Sequence, residues 1–171
     1  NTSGMVAWWR GEGNANDSIG SNNGTLLNGA SFASGMVGQG FNLNGNTQYV
    51  VIPHSDSINP TAALTVETWA KVNNLPTGNP WSIVTKDNPG SGPYDLSIFG
   101  DGRAVFGVYT NGWQQVYAPA GSIVPGNFAH LAGTYNSTTG QLCLYINGVP
   151  TCGIAQAGNI PRQNLLKIGG S

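Results

Sequence analysis

The sequence predicts an all-β chain, two antiparallel sheets packed as a jelly-roll sandwich, and three observations carry that prediction. Asn-Gly occurs five times, at Asn23, Asn28, Asn44, Asn111 and Asn147, with Asp101-Gly102 as a sixth site of the same kind. These dipeptides accept the positive φ angles that tight hairpins require. Between them lie short runs rich in β-branched and aromatic residues, "QYVVI", "LTVETWAKV", "AVFGVYT" and "CLYI", which read as strands. No stretch holds a helical period for ten residues, so nothing competes with the strand assignment.

Composition sets the outer limits. A chain of 171 residues whose make-up does not shift partway is expected to form a single domain over residues 1–171. Charged residues make up 8% of the chain, against about 25% in ordinary soluble domains. Asn, Ser, Thr, Gln and 26 Gly must wet the surface instead. Six Lys plus Arg against seven Asp plus Glu leave no long-range field, so neither nucleic acid nor a membrane is an expected partner. Apolar runs stop far short of the roughly 20 residues that cross a bilayer, and a start at Asn1 reads as a soluble, processed chain.

The hairpin around Asn147-Gly148 can be worked through as geometry. A type I′ turn there sets Ile146 opposite Val149, Tyr145 opposite Pro150, and Cys143 opposite Cys152. Hydrogen-bonded and non-bonded pairs alternate along such a ribbon. Pro150 then needs no amide hydrogen, and the two cysteines fall at a non-bonded pair, with Cα atoms about 4.5 Å apart, within disulfide range. A Cys143–Cys152 bond is therefore expected, contributing about 2 to 3 kcal/mol by loop entropy; the alternative is two free thiols facing one another. A disulfide implies an oxidising compartment, secreted or on the cell surface.

Applied to Asn111-Gly112, the same reasoning sets Thr110 opposite Trp113, Tyr109 opposite Gln114 and Phe106 opposite Tyr117. Phe106, Val108, Trp113 and Tyr117 then face the core, while Val105, Gly107, Tyr109, Gln114 and Val116 face solvent, with Gly107 leaving room above it. Alternation along "LTVETWAKV" turns Leu64, Val66, Ala70 and Val72 inward, and Thr65, Glu67, Trp69 and Lys71 outward. An exposed aromatic beside amides and a charge suits a sugar ring, so Trp69, Tyr109, Gln114 and Glu67 are the expected ligand-binding residues. The alternative for Trp69 is cover from a crossing loop, "NLPTGNPW", and for Glu67 an ion pair with Lys71.

Five segments in order, "MVAWWRGEGNANDSIGSNNGTLLNGASFASGMVGQGFNLNGNTQYVVIP", "LTVETWAKV", "IVTKDN", "NFAHLAGTYNSTTGQLCLYINGVP" and "LLKIGGS", resemble a laminin-G-like jelly roll of the concanavalin A-like lectin and glucanase superfamily. The resemblance implies two face-to-face antiparallel sheets in secreted or surface proteins that bind sugars or proteins or serve as spacers. It also implies a closing strand after "KIGGS" that is similar to nothing here, which would leave the first strand, "MVAWWR", without a neighbour and open to strand addition. Asp17 resembles an acidic position that in some members helps hold calcium, so calcium at Asp17 with the carbonyls and amides of Ser18 to Asn23 is an expectation. An Asx turn is the alternative. Glucanases on this fold use two or three carboxylates along one strand, whereas "TVETWAKV" offers Glu67 alone, so an enzyme is not expected. His130 is similar to a structural histidine of the sheet core, and His54 falls in a loop. The expected function is a non-catalytic extracellular recognition module for a glycan or a surface protein. The alternative is a structural subunit that self-associates through an open sheet edge.

Overall fold

The computed structural model of the chain describes residues 2–86, 92–161 and 165–170. A seven-stranded antiparallel sheet runs in the order β1 (Thr25–Leu27), β4 (Tyr49–Ile52), β13 (Leu166–Ile168), β6 (Trp81–Lys86), β7 (Tyr94–Ile98), β8 (Ala104–Tyr109) and β9 (Trp113–Tyr117). A four-stranded sheet runs β12 (Val149–Ile154), β11 (Gln141–Ile146), β10 (Phe128–Asn136) and β5 (Ala63–Lys71). A short ribbon pairs β2 (Ser31–Ser34) with β3 (Gln39–Asn42), and a 3-10 turn spans Asp56–Ile58. Among the described residues no helix is long and apolar enough to cross a membrane.

The two sheets bury their facing sides against each other, as alternation demands. Leu96, Phe106 and Val108 come from the larger sheet, and Leu131, Tyr135, Leu142 and Leu144 from the smaller. The layers approach closely at Gly133, where an added Cβ would stand 2.3 Å from the Phe106 ring. The absence of a side chain there lets that ring seat on the β10 backbone.

The hairpin joining β11 and β12 has the register the sequence predicts, with Tyr145 opposite Pro150 and Cys143 bonded to Cys152 at a Cα separation of 4.1 Å. Asn147 and Gly148 both take positive φ, 51° and 82°, as a type I′ turn requires.

The β8–β9 hairpin corrects the second register. Tyr109 pairs with Trp113, Val108 with Gln114, Gly107 with Gln115, and Val105 with Tyr117. Gly112 alone takes positive φ in this turn, and Thr110 N donates to Gly112 O. The loop therefore holds three residues instead of two. That one-residue slip moves every β9 side chain to the opposite face.

The segment Met5–Arg10 also differs from expectation, since it forms no sheet strand. It is held instead by an isolated bridge, Trp9 to Asp17, and by Ser18 N donating to Trp8 O. At the other end of the chain, β13 sits in the middle of the large sheet between β4 and β6. Among the described residues the edge strands are β1 and β9 of the larger sheet and β12 and β5 of the smaller.

Candidate functional site

The predicted ligand-binding residues separate. Trp69 and Glu67 stand on the outer face of the four-stranded sheet. Trp69, 48% exposed, packs against His130 with the rings tilted by 60° and their centroids 5.2 Å apart. Glu67 approaches His130 Nε2 at 3.9 Å, while Lys71 lies over the Phe128 ring at 4.9 Å. The alternative given for Glu67, an ion pair with Lys71, gives way to neighbours across the ladder, because residues four apart on a strand are too distant to meet. His130 faces outward, not into the core. Tyr109 belongs to the other sheet, so it shares no face with Trp69. Gln114 turns to the inner side with its partner Val108, and its Oε1 accepts from Gln156 N at 3.3 Å. The register slip explains the loss of Gln114 from the outer face, and it brings Trp113 and Tyr117 there instead.

The outer face of the seven-stranded sheet gathers the groups that a polar ligand needs. One row of paired residues crosses it: Lys167, Thr85, Asp95, Gly107 and Gln115. Four strand steps of about 4.8 Å give that row a length of roughly 19 Å. At one end lie the aromatic residues. Trp113 covers Gly107, where an added Cβ would meet the indole at 2.9 Å. Tyr109 meets Trp113 edge-on at 6.3 Å and is 40% exposed. Tyr117, 41% exposed, donates its hydroxyl to Gln115 Oε1 at 2.7 Å and lies under the Arg103 guanidinium at 5.9 Å.

In the middle of the row Asp95 is 8% exposed and accepts from Ser97 Oγ at 2.6 Å and Ser82 Oγ at 3.1 Å. Burial pushes its carboxyl above the usual range, against the hydroxyl groups of Ser97, Ser82 and Thr85, which favour the charge. Thr85 Oγ1 is buried without a hydrogen bond of full geometry, although it stands close enough to the carboxylate to favour that charge. A contact so loosely aligned contributes little.

At the far end is a cavity of about 310 Å³ lined by Asn28, Asn46, Thr47, Tyr49, Thr85 and Lys167. Its wall is built from two turns. Asn28 takes a φ of 56° in the turn after β1, and its Nδ2 donates to Thr47 O at 2.7 Å. Asn44 Oδ1 accepts from the amides of Asn46, Thr47 and Gln48 at 3.0 to 3.1 Å, which folds that loop onto the sheet.

Asp17 lies apart from this face. Its Oδ1 accepts from Trp8 N at 2.9 Å and Ile19 N at 3.0 Å, and its Oδ2 from Asn22 N at 3.2 Å and Asn22 Nδ2 at 2.9 Å. Burial raises the carboxyl pKa, but the hydrogen bonds from Trp8, Ile19, Gly20 and Asn22 outweigh it and bring the value to about 2. These donors occupy the roughly four lone-pair directions of a carboxylate. The arrangement is an Asx-type hydrogen-bond hub; calcium, which takes six to eight oxygens, would have to displace these donors. Among the described residues no three His, Cys, Asp or Glu side chains come together as a metal cluster.

A family profile described as the concanavalin A-like lectin/glucanases superfamily, of laminin-G type, matches residues 44–171. No curated protein matches the sequence. Among solved structures the chain is similar to domain 4 of AbnA, a GH43 extracellular arabinanase from Geobacillus stearothermophilus, in complex with arabinotriose. The TM-score is 0.69 at 19% identity, over 92% of this chain and 79% of that one. It is also similar to the binding domain of botulinum neurotoxin DC in complex with SialylT, with a TM-score of 0.64 at 15% identity, over 91% of this chain and 41% of that one. Both likenesses concern the fold.

Proposed function

The chain belongs to the concanavalin A-like lectin/glucanase superfamily, and from that premise we propose that it is a non-catalytic carbohydrate-recognition module acting outside the cytosol. The carrying observation is the outer face of the seven-stranded sheet, where Tyr109, Trp113 and Tyr117 flank a row of hydroxyl, amide and carboxyl groups leading into a polar cavity. Sugars stack their apolar ring faces on aromatics and exchange hydrogen bonds with such groups. Two similar folds were solved with arabinotriose and SialylT, which supports the class of ligand.

Catalysis is disfavoured by the acids available. Among the described strand residues of this face Asp95 is the one carboxylate, held under two serine hydroxyls, whereas glycoside hydrolysis needs a pair flanking the bond. The Cys143–Cys152 bond supports an oxidising location. A glycan array tests the proposal. Tyr109→Ala and Tyr117→Ala should each weaken binding about tenfold, and Trp69→Ala should leave it unchanged; loss on Trp69→Ala alone would move recognition to the other sheet.

A second reading rests on β5, a nine-residue strand at the edge of its sheet. Such an edge can accept a strand from another copy, making the chain a structural subunit. Analytical ultracentrifugation separates the two readings: ordered polymers without glycan affinity favour assembly.

A further inference from the structure

We propose that the cavity over Tyr49 and Lys167 takes the anionic substituent of an acidic sugar, a carboxylate or a sulfate ester, an inference that rests on the carbohydrate-binding reading of this sheet face. The chain carries six Lys plus Arg in 171 residues, and one of them is set into a cavity whose other lining groups are amides, hydroxyls and a phenol ring. The Arg103–Asp101 and Glu67–His130 pairs do not involve Lys167. Its ammonium instead lies 5.5 Å from the centre of the Tyr49 ring, which holds the side chain over the sheet through a cation–π contact and leaves its N–H donors for a ligand.

The strand register places the other components around it. Thr85 is the direct neighbour of Lys167 on β6, and its buried hydroxyl lacks a hydrogen bond of full geometry. A sugar oxygen reaching that depth would supply the partner that buried polar groups normally have. Val51, the neighbour of Lys167 on β4, carries no charge. The nearest carboxylate along the row, Asp95, is two strand steps away, roughly 10 Å, and is already engaged by Ser82 and Ser97. Among the described lining residues the cavity therefore offers one cation and no carboxylate. Its site is the end of a face whose far side stacks neutral ring surface, so the acid group would fix the orientation and register of a bound chain.

The test uses the whole chain on an array of matched pairs: oligogalacturonates with their methyl esters, sialyllactose with lactose, and sulfated with desulfated galactans. The wild type should prefer the acidic member of at least one pair about tenfold, equivalent to about 1.4 kcal/mol, and the pairs reveal whether carboxylate or sulfate is read. Lys167→Gln should abolish that preference, bringing the acidic member down to the affinity of its neutral partner, and Lys167→Arg should retain it. Equal binding of both members, unaffected by Lys167→Gln, would overturn the inference and leave carbohydrate recognition standing. Binding to no member of any pair would overturn both.

Discussion

Asp17→Asn offers a quantitative test of how the N-terminal segment is held. The wild-type carboxylate accepts four N–H donors from Trp8, Ile19 and Asn22, and its pKa falls from 3.8 to about 2. A folded pKa below the unfolded one means stability that is present above about pH 4 and lost as the pH falls toward 2. At about 1.36 kcal/mol per unit, the displacement corresponds to about 2 kcal/mol. Asparagine cannot carry the charge, and it would aim an N–H at donors, so the substitution should cost at least that amount at pH 6. Urea unfolding of both proteins from pH 2 to pH 6 measures the gap, which should shrink as the wild-type carboxylate protonates. A gap independent of pH, or no gap at pH 6, would refute the hydrogen-bond account. Millimolar calcium or a chelator should leave the wild-type midpoint unchanged; a calcium-dependent rise lost in Asp17→Asn would make this carboxylate an ion ligand after all.

Three further outcomes follow from the structure. Replacing Cys143 and Cys152 together by Ser should lower unfolding stability by about 2 to 3 kcal/mol, from the ten-residue loop the bond closes, as read by denaturant midpoints against the oxidised, disulfide-bonded wild type. Asp95 has its pKa raised by burial, so its folded form is favoured below the unfolded value and penalised as the pH rises through the folded one. Asp95→Asn should therefore gain midpoint over wild type as the pH is raised from 3 to 8, and a pH-independent difference would contradict that sign. Gly107→Ala would force a methyl group to within 2.9 Å of the Trp113 indole, so it should lift the ring and weaken glycan binding about tenfold while the disulfide hairpin keeps its amide-exchange protection.

What could be read from the sequence depended on how many constraints met at one place. The β11–β12 register was legible because Pro150 and the cysteine pair independently demanded the same alignment. The β8–β9 turn had only its Asn-Gly dipeptide to go by, and Asn111 does not take the positive φ that dipeptide suggested. The slip removed Gln114 from the outer face and hid Trp113 and Tyr117 from the reading. A signal for the site did exist in "YDLSI", where Asp95 and Ser97 alternate with Tyr94, Leu96 and Ile98. Alternation placed them on one face, but it could not say that the outer face would bury them. The cavity was invisible for a simpler reason: its wall and floor come from Asn28, Asn46 to Tyr49, Thr85 and Lys167, which only long-range strand pairing brings together. Asp17 was singled out by its resemblance to an acidic position of the family, and its donor from Trp8 could be found only once Met5–Arg10 proved to be a tethered segment and not a strand.

The placement of recognition on the seven-stranded sheet is tested most directly by NMR. The five tryptophans give separate indole N–H resonances, assigned through Trp→Phe variants and followed during titration with the best-bound oligosaccharide from the array. The Trp113 indole should shift progressively to saturation while Trp69 stays in place. A titration that moves Trp69 and leaves Trp113 untouched, or that moves neither, would contradict the account.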